Sequence, residues 1–463
     1  MTTGRVLVVG GGVSGLTVGF RLRSADPGLN VTLLEAESRP GGMLCSVTVG
    51  GLVLPAGADS FVARKPWAAA LCHELGLELE TPGTAGAYLW TDRGLVAYPR
   101  DTAFGIPGDV GDVMRWPGLS GAGRRRALQD LVRRRRRSTG DETLGGLLRR
   151  RLGDEATDLA VGPLLAGLHA GQVDRLSVLA TFPELAAWEA SQGSLIRGAQ
   201  ATLRLGGRAD PGPMFIRPRG GVERLTQALS SLLGERIRTD APATELRPND
   251  GGWLVLAGSD AFPADAVVLS VPAAAAAPLL GPISSAAAAG LGGIPGASTA
   301  VVLLVYPRGT GGSLPEGTGF VVPRGKAPMT ACTWLSNKWP SKAFEDRAVL
   351  RCYVGAAGEE DVLEAADAEL IDACARHLAA ALTLPSEPEH AAVVRWPASM
   401  PQYELGQVER VAEIRDSLPP GIFLTGQAFD GVGVADCVRA ADATAAAVIA
   451  WLMSTARTEE AVR

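Results

Sequence analysis

A chain of 463 residues is too long for one compact core and predicts two or three domains. With 46% apolar and 20% charged residues it has the make-up of an ordinary globular protein. A formal charge of −5 offers no general basicity for nucleic acid, and four histidines are too few for a multi-histidine metal centre. The six cysteines (Cys45, Cys72, Cys332, Cys352, Cys374, Cys437) contain no C-x-x-C pair. They predict isolated buried thiols in a reducing compartment, not a disulfide framework or zinc site. The N-terminus enters a strand at once, so no secretion signal is expected.

In chain order, Val6-Leu7-Val8-Val9 is a β-branched run ending in glycines. Residues 16–23 then carry a helical apolar pattern, and 31–34 form a second apolar run. This order predicts a βαβ unit with a parallel sheet. The next stretch, to about residue 86, alternates short strands with a helix at 66–75. From about 100 to 201 the chain turns helical and arginine-rich, with arginines at 124–126, 133–137 and 149–151. Strand signals resume from 216 to 280, at 253–256 and 266–271. No residue from Ala266 to Tyr306 is charged, a length that could cross a bilayer. Pro272, Pro278, Pro282 and Pro295 interrupt it, and an interior proline costs a helix ~3 kcal/mol, so core strand, loop and short helix are expected there. Residues 297–355 read as a β-meander with strands at 299–306, 319–323, 330–334 and 349–354. A helix at 361–382, a short strand at 422–425 and an Ala-rich helix at 436–451 complete the pattern. The N-terminal βαβ unit and the C-terminal strand–glycine–helix are expected to share one domain, with other material inserted.

Gly10-Gly11-Gly12-Val13-Ser14-Gly15 is a G-x-G-x-x-G motif placed directly after a strand and before a helix. The first glycine permits a tight turn, the second lets backbone approach a pyrophosphate at the positive helix N-terminus, and the third packs helix on sheet. Glu35 closes the second strand twenty residues after Gly15, where an acid can bond a ribose hydroxyl. Past it, Ala36, Arg39 and the paired Gly41 and Gly42 wrap a ligand longer than NAD and favour FAD. At the far end, Leu424-Thr425-Gly426 followed by Gly431-Val432-Gly433-Val434-Ala435-Asp436 repeats the logic. Its amides can approach a flavin ring, and a helix N-terminus faces the negative charge of reduced flavin. A glycine C-cap followed by a turn is the plainer alternative for this second set.

Longer stretches resemble the bacterial protoporphyrinogen/coproporphyrinogen oxidases of the flavin amine oxidase superfamily. They are Pro163-Leu164-Leu165-Ala166-Gly167-Leu168-His169-Ala170-Gly171 with Leu176-Ser177 and Thr181-Phe182-Pro183; Gly317-Thr318-Gly319-Phe320; Ala331-Cys332-Thr333-Trp334 with Lys338-Trp339-Pro340; Arg395-Trp396 with Met400-Pro401-Gln402-Tyr403; and 426–437. The matches run in one order from Arg5 to Trp451 and are closest to the Gram-positive type, whose members oxidise coproporphyrinogen III.

The resemblance implies an α/β and α+β architecture: an FAD-binding Rossmann-like (GR2-type) domain at 1–86, 206–290 and 391–463. A mixed-sheet substrate domain at 87–100 and 291–390 and a helical domain of membrane-associated type at 101–205 are inserted. It implies FAD contacts at Gly10, Gly11, Gly12, Val13, Ser14, Gly15, Glu35, Ala36, Arg39, Gly41, Gly42, Gly57, Ala58, Asp59, Ser60, Trp396, Gly426, Val432, Gly433 and Val434. Ala243 stands where family members use valine, with backbone atoms holding adenine. The loop at Gly57-Ala58 departs slightly, since proline is common second. Gly167 matches a glycine whose carbonyl orients pyrrole nitrogens. His169, often aromatic in the family, either accepts a proton or packs against the macrocycle. Arg64 and Lys65 either pair with a substrate propionate or are a solvated pair capping the helix that follows.

The implied enzyme is an oxygen-dependent porphyrinogen oxidase of haem biosynthesis. It takes coproporphyrinogen III to coproporphyrin III in two-electron steps, with hydride to flavin N5 and hydrogen peroxide formed; protoporphyrinogen IX is the alternative substrate. A flavin amine oxidase, a carotenoid desaturase and a non-enzymatic flavin scaffold are the competing readings. The arginines from Arg124 to Arg151 are a solvated face, or else contact anionic lipid or a haem-pathway partner; nucleic acid is not expected. The expected location is the cytoplasm, with a peripheral seat at the inner face of the cell membrane as an option.

Overall fold

The computed structural model describes residues 4–99, 101–116, 118–136, 140–205 and 213–462. Arg100, Arg137 and the expected boundary at 205/206 fall on or beside residues outside that set.

The apolar runs form a parallel five-stranded sheet in the order Ile237–Arg238, Asn30–Leu34, Arg5–Val9, Ala266–Leu269, Ile422–Leu424. Alternate residues of one strand enter opposite cores. Val6 and Val8 join the helices Val13–Ala25, Glu223–Leu233 and Val434–Val462, while Leu7 and Val9 join Ala273–Leu280, Ser285–Gly292 and the antiparallel sheet built on Ala243–Asn249. Burial on both faces explains why these strands read as unbroken hydrophobic runs. Each fully buried Val or Leu contributes about 1.5–3 kcal/mol.

The uncharged stretch 266–306 is strand, two short helices and strand, as its prolines require. The apolar C-terminal helix is longer than expected, Val434–Val462, and its segment Val434–Thr455 is long and apolar enough to cross a membrane. Nevertheless it packs on Val13–Ala25 and Pro66–Glu74, with Val438, Ala441, Ala445 and Val448 buried in the core.

A second, seven-stranded sheet runs His390–Pro401, Gly296–Arg308, Arg347–Val354, Met329–Trp334, Gly319–Val321, Tyr88–Thr91, Gly94–Ala97. It departs from a simple meander. Gly296–Arg308 skips its successor and pairs with Arg347–Val354. His390–Pro401, expected at the head of the third FAD segment, pairs along Gly296–Arg308 instead, so this sheet continues past residue 390. The helix expected at 361–382 begins later, at Asp367. Its start is fixed by Glu369, whose carboxylate accepts the Ala366 N–H at 3.0 Å. Nor are all six cysteines isolated: Cys332 and Cys352 face each other across two strands, and Cys352 also meets Cys374 in the core behind them. All six are buried and free.

The helical region surrounds a third core and consumes most of its arginines. Arg151 and Asp130 form a fully buried pair. Asp130 also accepts from Ser194 at 2.5 Å and Ile196 N–H at 2.9 Å, while Arg151 donates to Gly193 O at 2.6 Å. Arg126 and Arg133 cap carbonyls ending the helix Leu144–Leu152. Arg149 and Arg150 pair with Asp174, Asp158, Glu142 and Glu189. Only Arg125 and Arg134 of the described run extend side chains without an ion-pair or hydrogen-bond partner.

Candidate active site

All five strands of the parallel sheet end on one edge, where ligands of such sheets gather. Gly10 leaves Arg5–Val9 with φ +106°, and a Cβ there would lie 2.5 Å from the Ser270 carbonyl. The Gly11 N–H donates to Glu35 Oε2 at 2.7 Å, and the Glu37 N–H to Oε1 at 2.9 Å. The carboxylate is thus fixed at the strand end with lone pairs remaining for a hydroxyl. A second glycine turn folds onto the first: Gly41 N–H donates to Gly11 O at 2.8 Å, and Gly12 bridges Gly41. Arg39, exposed, donates to the Gly42 carbonyl at 3.3 Å, so it steadies this turn. Beyond Gly12 lies open space, with nothing within 4 Å of where its side chain would begin.

Beside Glu35, the backbone of Arg238 and Ala241 brackets the strand end at 2.8 and 2.9 Å. Ala243 follows, half-buried, opening the next strand, and Ala36 is exposed.

The C-terminal glycine segment reaches the same edge because Ile422–Leu424 runs parallel to Arg5–Val9 with only Ala266–Leu269 between them. Gly426 opens onto free space, as Gly12 does. After Gly431, Val432 and Gly433, the helix beginning at Val434 sets its N-terminus beside that of Val13–Ala25; Ser14 and Cys437 are hydrogen-bonded. Two helix N-termini therefore point positive ends at one region, as an anionic ligand requires. Tyr403 fastens this segment, its hydroxyl donating to Gln427 O at 2.6 Å and accepting the Gly431 N–H at 2.8 Å.

Between the two segments sits the Gly57 turn. Any side chain on Gly57 would overlap the Met43 carbonyl. Trp396, on the edge strand His390–Pro401, donates from Nε1 to Ala56 O at 2.9 Å. The side chain of Asp59 faces away from this cradle's open side, accepting from Lys338 at 2.8 Å, Trp339 at 3.2 Å and Ser60 at 3.0 Å. Its lone pairs are committed inside the protein, which leaves backbone for contact with a cofactor. Burial opposes that charge, but Lys338 and Arg351 beside it hold the carboxyl far below its usual range.

The expected substrate residues separate. Lys65 Nζ binds both oxygens of Asp436, at 2.8 and 2.6 Å, so its charge is answered within the chain. Arg64 stacks 4.7 Å above the Phe104 ring, and its guanidinium has no hydrogen-bond or ion-pair partner among the described residues. Gly167 ends the helix Gly162–Gly167, exposed, directly after a π-helical turn at Thr157–Val161. His169 is 5% exposed between Phe182 and Tyr403, ring centroids 5.5 and 5.9 Å away, and its Nδ1 has no partner among the described residues. Burial, and secondarily the Lys65 charge, push its pKa down to about 4. It is a neutral wall residue and a weak base.

Sequence reasoning named neither Lys338, Arg351, Tyr403 nor Asp436 as site residues. Lys338, Tyr403 and Asp436 lie in the stretches that carry the family resemblance but had no role assigned, and a lone arginine inside the apolar run Ala348-Val349-Leu350-Arg351-Cys352-Tyr353-Val354 was the available signal for Arg351.

The open cradle at Gly12 and Gly426, the paired helix N-termini and the buried hydroxyls of Ser270 and Thr425, without partners among the described residues, at the same sheet edge fit an extended dinucleotide, FAD. Known proteins agree with this geometry. Residues 13–449 match the family described as flavin containing amine oxidoreductase. The chain is 33% identical to coproporphyrinogen III oxidase of Bacillus subtilis (strain 168), covering 97% of this chain and 98% of that one. It is 30% identical to the protein of the same name from Staphylococcus aureus, over 97% and 100%. A crystal structure described as a protoporphyrinogen oxidase, from Exiguobacterium sp. 255-15, superposes with a TM-score of 0.86 at 31% identity, covering 97% and 99%. The chain belongs to the flavin-containing amine oxidoreductase family.

Proposed function

We propose that this chain oxidises coproporphyrinogen III to coproporphyrin III in haem biosynthesis, using FAD and molecular oxygen and releasing hydrogen peroxide. The observation that carries the reading is the meeting of two distant glycine-rich segments at one sheet edge, in a chain similar over nearly its whole length to coproporphyrinogen III oxidases. Bound FAD would supply the two-electron acceptor that porphyrinogen oxidation needs.

This chain's residues bind and orient. The turn from Gly10 to Gly15 and the two helix N-termini would hold the pyrophosphate, Glu35 would take a ribose hydroxyl, and backbone near Ala243 would serve the adenine. Trp396, Gly57 and the segment Gly431-Val432-Gly433 would hold the ring. Arg64, braced on Phe104, is the cation for a propionate; Lys65 serves the fold through Asp436. His169 walls the site with Phe182 and Tyr403, and Gly167, exposed at the end of its helix, is the residue whose carbonyl would serve the pyrrole nitrogens. The reading places the protein in the cytoplasm. Any contact with lipid headgroups or a pathway partner falls to Arg125, Arg134 and the 82% exposed Val132.

Side-by-side rates on coproporphyrinogen III and protoporphyrinogen IX, with peroxide detection, test the proposal. Faster turnover of the first, with one peroxide per two-electron step, is expected. Preference for protoporphyrinogen IX would transfer the reading to the substrate named for the Exiguobacterium neighbour, and turnover of neither would overturn it.

A further inference from the structure

Under the Gly57 turn lies a buried group of charges that does not cancel. Lys338, Arg351 and Asp59 are 6%, 3% and 7% exposed. Lys338 satisfies Asp59 directly at 2.8 Å. Arg351 is less well matched: its nearest approach to Asp59 is 3.9 Å, and its buried Nε has no partner among the described residues. The neighbouring Arg217 is balanced by Glu80 at 2.7 Å and leaves the surplus unchanged. Two cations therefore face one carboxylate where water is excluded, and an uncompensated buried charge is costly unless an anion comes close.

The surplus adjoins the cofactor cradle. Arg351 donates to the Gly57 carbonyl, Gly57 presses on Met43, and Met43 follows the Gly41–Gly42 turn that bridges Gly12. The Met43 sulfur also meets Gln427, in the C-terminal glycine segment, at 3.9 Å. The cluster lies one carbonyl away from the point where both halves of the site meet.

We propose that Arg351, with Lys338, tunes the bound flavin: their unbalanced positive charge favours the negative charge of the reduced ring and makes it a better electron acceptor. The inference rests on the FAD reading above. It gives Asp59 the opposite sign, as the residue that moderates the effect.

The test compares Arg351→Met, Lys338→Met, Arg351→Lys and Asp59→Asn by the midpoint potential of bound flavin and by the dissociation constant for sulfite. Sulfite adds through sulfur to oxidised flavin N5, forming an N–S bond and leaving negative charge on the ring. Removing either cation should lower the potential and weaken sulfite binding about tenfold or more, the size expected for one unit charge at short range in a poorly screened site. Arg351→Lys should stay near wild type, and Asp59→Asn should raise the potential and tighten sulfite. A structural role alone would not produce shifts of opposite sign. Should Arg351→Met fail to fold, Lys338→Met and Asp59→Asn still carry the comparison. Potentials that stay put, or move alike in Lys338→Met and Asp59→Asn while the flavin spectrum persists, would overturn this inference alone; a wild-type chain that binds no FAD would overturn the functional reading with it.

Discussion

Lys65 and Asp436, 371 residues apart, form a two-oxygen ion pair that ties the start of the helix Pro66–Glu74 to the start of the C-terminal helix. Asp436 is well placed in a helical first turn, and Lys65 keeps it there. Lys65→Met should cost about 1–3 kcal/mol by leaving a nearly buried carboxylate unpaired, measured by urea denaturation. Arg64→Ala should instead raise KM for porphyrinogen with little change in stability. Equal KM effects from the two variants would refute this division of labour.

Tyr403→Phe removes one hydroxyl and with it both restraints on the segment from Gln427 to Gly431. A loss of about 1–3 kcal/mol and weaker FAD retention on gel filtration are expected. Unchanged retention would mean that the segment holds its shape unaided.

His169 gives a pH signature. Its folded pKa of about 4 lies below the unfolded value of about 6.5, so the unfolded chain binds the extra proton between those limits. Its contribution to stability is complete above about pH 6.5 and is lost as pH falls toward 4. At pH 5 the loss is about 2 kcal/mol. His169→Phe should flatten that part of the stability profile, seen by denaturation at pH 5 and 7, and retain most turnover at neutral pH. Loss of turnover with an unchanged fold would restore a proton-accepting role.

Arg151→Met leaves Asp130 charged and buried, and should destabilise by about 3–5 kcal/mol. Combining it with Asp130→Leu should cost less than the sum of the two single changes. Additive losses in calorimetry would show that the pair is not coupled.

Local chemistry written in consecutive residues was legible beforehand. The turn from Gly10 to Gly15, the acid at Glu35 and the prolines after Val271 each act within a few residues, so spacing alone reveals them. Pairings between distant segments were not. Nothing near Lys65 announces Asp436, and nothing near Asp59 announces Lys338 and Arg351; such partners exist only after two sheets close on one another. The same holds for strand order. Residues 297–355 look like a run of sequential neighbours, yet Gly296–Arg308 passes over the two strands that follow it to pair with Arg347–Val354. Arginine clusters mislead for a related reason. A run of like charges reads as free surface, but Arg151 is buried, and the half-buried Arg126 and exposed Arg133 bend back onto carbonyls that the sequence cannot display.

The outer strand Ile422–Leu424 and the turn after it are synthesised long after the first glycine turn whose sheet they complete. Until they leave the ribosome, the parallel sheet has an unfilled edge beside Ala266–Leu269, and the nucleotide groove has only one of its walls. Prosthetic-group loading must then wait for that turn, and a nascent chain halted before residue 426 should emerge colourless.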